Sequence, residues 1–179
     1  MMKNILNKKS FFRGRDGEKG ASVIDIMLWS LGAMAVAGVI FTTYQSFMTN
    51  NVIKDHLAGL RTLDSGISSL YKKQRLRNYT GIKAAAVSQT IATPASWKNG
   101  LAITNEWNSD ITLASAPGNT FSITDPGVPE EECTEIMVTV YNDFKESRVG
   151  GAAGALVTDV ISAATACVPG ANTLFFVHK

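Results

Sequence analysis

Asp25 is the one charged residue in the run 21–41, ASVIDIMLWSLGAMAVAGVIF, which is otherwise predominantly apolar. A carboxylate at the centre of a membrane helix costs roughly 2.5–3.5 kcal/mol on insertion scales, and such groups usually have a partner. A cut between Gly20 and Ala21 would supply one, because the new α-amino group of Ala21 is positively charged at neutral pH. Asp25 of a neighbouring copy could then pair with that amine inside an apolar core. Three alternatives stand beside this reading. Asp25 could be solvated at an interface, the run could be a plain single-pass anchor, or it could belong to a secretory signal peptide. The last is raised by Ala33-Met34-Ala35 and Ala35-Val36-Ala37, both of which resemble small-residue cleavage sites.

The other chemistry-bearing residues point away from catalysis. Cys133 and Cys167 are the only cysteines. An even pair across a membrane, in an oxidising compartment, reads as one disulfide, worth roughly 3–4 kcal/mol for a loop of this length. Pro129-Glu130-Glu131-Glu132-Cys133, with Glu135 close by, lacks the aspartate–glycine pattern of a calcium loop and reads as a solvated acidic loop. Val149-Gly150-Gly151-Ala152-Ala153-Gly154 lacks the order of a phosphate-binding loop and reads as a flexible connection. Lys72, Lys73, Arg75 and Arg77 carry no interleaved aromatics and read as dipole complementation at a helix end, so direct nucleic-acid binding is not expected. His56 and His178 are connected by no nucleophile arrangement. No catalytic residues, cofactor or metal site are expected.

These residues need elements to position them. Residues 1–20 carry six Lys/Arg against two Asp/Glu, a net of +4, whereas the rest of the chain is net −2. The first 20 residues thus read as a leader, and their charge places that side of a membrane in the cytoplasm. As a helix, residues 21–41 would be about 30 Å long, roughly the hydrocarbon thickness of a bilayer. The helical pattern continues: Ile53, Leu57, Leu60, Leu63, Ile67 and Leu70 follow spacings of three and four. No proline occurs before Pro94, and Asn78-Tyr79-Thr80-Gly81 supplies stop signals. One helix is expected over 21–77, on the order of 80 Å. Gly32 and Gly38 within it permit close helix approach.

From residue 78 the composition suits a globular α+β head, with candidate strands at 101–104, 111–113, 120–124, 136–141 and 174–177. Pro117-Gly118-Asn119 and Asp125-Pro126-Gly127 are expected as turns, and 157–166 as a short helix. The fold class expected is α+β, a long N-terminal helix packed on an antiparallel sheet.

A basic leader ending in Glu18-Lys19-Gly20, a small residue, an acid at the fifth position after the cut and about 20 apolar residues together resemble a type IV prepilin. The 20-residue leader points to the type IVb branch, and the head resembles thin-pilus pilins of conjugative plasmids around Trp97, Gly100 and Trp107. Asp25 stands where the family usually has Glu, and Ala21 where the type IVa branch usually has Phe. The resemblance implies cleavage after Gly20 and N-methylation of Ala21 by a membrane-embedded prepilin peptidase. It implies that an inner-membrane assembly machinery then extracts the subunit into an extracellular homopolymer serving attachment or conjugative mating contact. A Cys133–Cys167 bond closing a C-terminal region agrees with it. The rival readings are a minor pilin, pseudopilin or tip adhesin, and a secreted binding module released by a conventional signal peptidase.

Overall fold

The computed structural model describes residues 23–72 and 78–179, without the side chains of Val23, Asp25 and residues 42–48. The chain divides into two compact units, Met1–Tyr44 and Gln45–Lys179. Helix α1, Val23–Lys72, contributes its first part to one and its remainder to the other. The expected basic cluster after it therefore lies outside the described residues except for Lys72.

In the second unit, α1 buries the stripe that its spacing marks. Ile53, Leu57, Leu60, Leu63 and Ile67 are buried, and Leu70 packs at the edge of the same core. Burial of each such side chain is worth about 1.5–3 kcal/mol, which sums to far more than helix propensity supplies. After α1 come a short helix α2 (Ala84–Ser88), a 3-10 turn (Ala95–Trp97) and a two-stranded hairpin, β1 (Lys98–Asn99) and β2 (Ala102–Ile103).

The main sheet has five antiparallel strands in the order β3-β4-β7-β5-β6. They are β3 (Thr112–Ala116), β4 (Thr120–Val128), β5 (Glu146–Val149), β6 (Ala155–Leu156) and β7 (Asn172–Val177). Phe121, Ile123, Leu174 and Phe176 occupy alternate positions of the two central strands and are buried in the core that holds the α1 stripe. Helices α3 (Glu130–Val140) and α4 (Val160–Ala166) complete the head.

Four expectations are corrected. Residues 136–141 are the end of α3 rather than a strand. Their β-branched content suggests a strand, but Cys133, Ile136, Met137 and Val140 are the buried positions, a spacing of three, four and seven that only a helix aligns. The acidic run is accordingly the first turn of α3, where Glu130, Glu131 and Glu132 complement the positive end of the helix dipole. Asp125-Pro126-Gly127 lies inside β4 as an irregularity, with the β7 register shifting between Asp125 and Val128. The glycine-rich segment is a fixed β5–β6 turn, since the amides of Gly150 and Gly151 both donate to the Thr173 carbonyl. By contrast, the turn at Pro117-Gly118-Asn119 and the strands around 120–124 and 174–177 lie where the sequence places them. So does the short helix, shortened at its start by the Asp159–Ser162 capping box.

Candidate assembly interface

The first part of α1 exposes apolar side chains around its circumference. Trp29 is 82% exposed and Met34 72%, and Leu28, Leu31, Val39 and Ile40 are each about two-thirds exposed. A continuous apolar surface of this kind marks a site that another molecule covers. Ser30 does not interrupt it, because its hydroxyl donates to the Met27 carbonyl at 2.8 Å and is satisfied within the helix. Gly32, Ala33 and Ala37 line a shallow groove of about 720 Å³, walled by Leu28, Trp29, Val36 and Ile40. A β-carbon at Gly32 or Gly38 would have no neighbour within 4 Å. Such a groove of small residues lets a second helix approach closely. Among the described residues no helix is long and apolar enough to cross a membrane. The run 21–41 extends beyond those residues: Gly20 and Ala21 lie outside them, and Asp25 is placed only as backbone within α1.

The head end of α1 is held by a polar joint centred on His56. His56 is fully buried. Its Nδ1 lies 2.6 Å from Glu106 Oε2, and its Nε2 2.8 Å from Asp125 Oδ2, the latter an ion pair rather than an aligned hydrogen bond. Trp97 Nε1 donates to the other Glu106 oxygen at 2.5 Å, and Asn105 Nδ2 donates to Asp125 Oδ1 at 2.7 Å. The Trp97 and Trp107 rings flank the imidazole, with centroids at 5.2 and 4.7 Å. Burial disfavours charge on His56, but the close contacts and negative charge of Asp125 and Glu106 outweigh it and raise the imidazole to about 9. Glu106 is likewise lowered, because its bonds to His56 and Trp97 outweigh burial. Both ring nitrogens face carboxylates on opposite sides, so these three groups do not converge on a point, and among the described residues no cluster could hold a metal ion.

His178, at the end of β7, forms a second tie. Its Nδ1 lies 2.8 Å from Asp64 Oδ1 on α1, and its ring stacks on Phe121. Burial raises Asp64 against the opposing pull of His178. Cys133 in α3 and Cys167, the C-cap of α4, form a disulfide with 6.0 Å between their α-carbons. The histidines are thus brought to α1 contacts, each with its own acidic partners. The only sequence signal for the His56 joint was that it falls one position from Leu57, on the buried stripe, with two tryptophans nearby in the head.

The family model described as PilS N terminal matches residues 45–179, which are the residues of the head unit. The fold is similar to the crystal structure of the type IV b pilin from Salmonella typhi, with a TM-score of 0.55 and 21% identity. That match covers 70% of this chain and 99% of the other. It is also similar to TcpA, a type IV pilin from Vibrio cholerae El Tor biotype, at a TM-score of 0.52 and 13% identity, covering 72% of this chain and 99% of that one. No curated protein matches the chain.

Proposed function

The chain belongs to the PilS N-terminal family and has the fold of a type IV pilin of the IVb branch, and from that premise we propose that it is made as a prepilin and polymerised through α1 into an extracellular type IVb pilus. Members of this family are structural subunits rather than enzymes. The observation that carries the reading is the division of labour along α1. One stretch is buried in a self-sufficient head, and the preceding stretch presents apolar side chains that nothing in the described chain covers.

In this reading a prepilin peptidase cuts after Gly20 and N-methylates Ala21. The apolar run 21–41 holds the subunit in the inner membrane, with the head across it, until the assembly machinery extracts it. The helices of successive subunits then pack, with small residues at Gly32, Ala33 and Ala37 allowing close approach. Asp25 meets the amine of Ala21 on a neighbour, and low local dielectric strengthens that pair relative to water. The resulting filament serves attachment or conjugative mating contact.

N-terminal sequencing and intact mass of the mature protein test the processing. A chain starting at Ala21 with one added methyl group is expected. A start at Met1, or just after Ala35 or Ala37, overturns the reading. Asp25→Ala is expected to reach the membrane normally but to yield few filaments, since an unpaired amine would be left in the core. Normal piliation in that variant would remove the pairing role.

A further inference from the structure

His56, fully buried, joins α1 to two other parts of the head through charged partners. Glu106 comes from the loop following the β1–β2 hairpin, and Asp125 comes from the irregular part of β4. The loop is itself tied together by this joint. Trp97 is 1% exposed and bonds to Glu106, while the Asn105 side-chain oxygen accepts the amides of Trp107 and Ser109. Asn105 in turn donates to Asp125 and to the Pro126 carbonyl.

The imidazolium offsets one of the two carboxylate charges that meet at this site. Two carboxylates face the ring, one fully buried and the other half-buried. The neighbouring charged residues on α1, Lys54 and Asp55, are exposed. With His56 neutral, two anions would share one buried site with a single imidazole proton between them. Like charges so placed repel strongly, and an unpaired buried charge is among the costliest defects a fold can carry.

We propose that His56 is a proton-operated latch: its charged ring clamps the 97–111 loop onto α1, and loss of its proton loosens that loop while the disulfide-closed side of the head keeps its protection. The two sides share one apolar core but draw on different polar contacts. The five-stranded sheet, α3 and α4 are secured by the sheet ladder, the Cys133–Cys167 bond and the Asp64–His178 tie. The loop's two-stranded hairpin forms a sheet of its own, and the Thr104–Asp110 bridge and the bond from the Ile111 amide to the Ile103 carbonyl are internal to the loop. It meets the rest through buried Trp97, Ile103 and Ile111 and through the Gln89 side-chain amide, which donates to the Gly100 carbonyl. The direction of the response follows from the imidazole's elevation. A group raised on folding stabilises the folded arrangement below its ordinary value of 6.5 and loses that contribution as pH rises through about 9. The latch is tight at neutral pH and loosens in alkali.

The test is an NMR titration of the full chain in detergent micelles, with His178→Gln used to assign the two imidazoles. The His56 ring is expected to titrate near pH 9, and amide protection factors in residues 97–111 to fall at least ~tenfold over the same interval. Protection in β4 and β7 is expected to hold. Glu106→Gln removes one of the two carboxylate charges and should move both transitions down together. An imidazole that titrates near 6.5, or loop protection that ignores the titration, overturns the proposal. So does a fall in protection that is equal in the loop and the central strands, which would mean global unfolding. If Glu106→Gln does not fold, coincidence of the ring and loop transitions in the unsubstituted chain still decides.

Discussion

Replacing Gly59 with alanine sets two effects of opposite sign against each other. In a helix interior alanine is favoured over glycine by about 1 kcal/mol, so an exposed site would gain stability. Gly59, however, faces the indole of Trp97: a β-carbon there would lie 2.7 Å from Cε2 and 2.9 Å from Cη2, and closer still to Cζ2. Carbon atoms prefer about 3.5–4.0 Å, so helix and ring must separate by roughly 1 Å. The ring has little freedom to yield, since it is buried, bonded through Nε1 to Glu106 and packed beside His56. Overpacking of this kind costs about 1–3 kcal/mol. Weakening the indole bond to a charged carboxylate adds up to about 1.5–3 kcal/mol. Set against the propensity gain, the net loss is about 1.5–5 kcal/mol, or a fall on the order of 10 °C in the melting temperature of the head. Thermal and urea unfolding of the purified chain read it directly. Trp97→Phe removes the clashing part of the ring, so the double variant should recover at least ~1 kcal/mol relative to additivity. An unchanged or raised melting temperature in Gly59→Ala, or strict additivity with Trp97→Phe, would refute the reasoning.

The other expectations can be checked alongside. Gly38→Ala meets no atom within 4 Å and should raise helicity of the isolated subunit, by circular dichroism, where Gly59→Ala does not. Cys133→Ser removes a bond that closes 34 residues of sequence separation, and head unfolding in urea should show a loss of roughly 3–4 kcal/mol. Leu63→Ala truncates a fully buried side chain of the α1 stripe and should cost about 2–5 kcal/mol in the same assay. Glu106 lies below its ordinary value of 4.5, so its contribution is present above that pH and is lost as pH falls through the folded value. The acid limb of the stability profile should therefore be shallower in Glu106→Gln; an identical limb would mean that other carboxylates govern it.

How much of this was legible in the sequence depends on the range of the interaction. The α1 stripe was legible because helical periodicity is a local signal repeated over several turns, and Ile53 to Ile67 are buried as their spacing implies. Strands β4 and β7 were legible as alternating β-prone runs bounded by turn residues. Helix α3 was not, because Ile136–Val140 are β-branched or long apolar residues whose local preference is extended. Only the wider set that includes Cys133 reveals a helical face, and packing against α4 and β7 decides the outcome over propensity. Asp125-Pro126-Gly127 misled in the opposite way, since turn-forming residues also build irregularities within a strand.

The His56 joint was the least legible, and for a physical reason. Its members come from positions 56, 97, 106 and 125, three separate stretches of chain, and none has a spacing that marks it. What the sequence did contain was a histidine adjacent to a core position and no cation near Glu106 or Asp125 in the chain. A histidine on a buried face cannot stay charged without acids, and acids in a core cannot stay charged without a cation. The two requirements complete each other only once α1 lies against the head, so the joint is a property of the docked helix and not of either partner alone. The same helix whose first part exposes an apolar surface is tied to its head by a contact in which one imidazole faces two carboxylates.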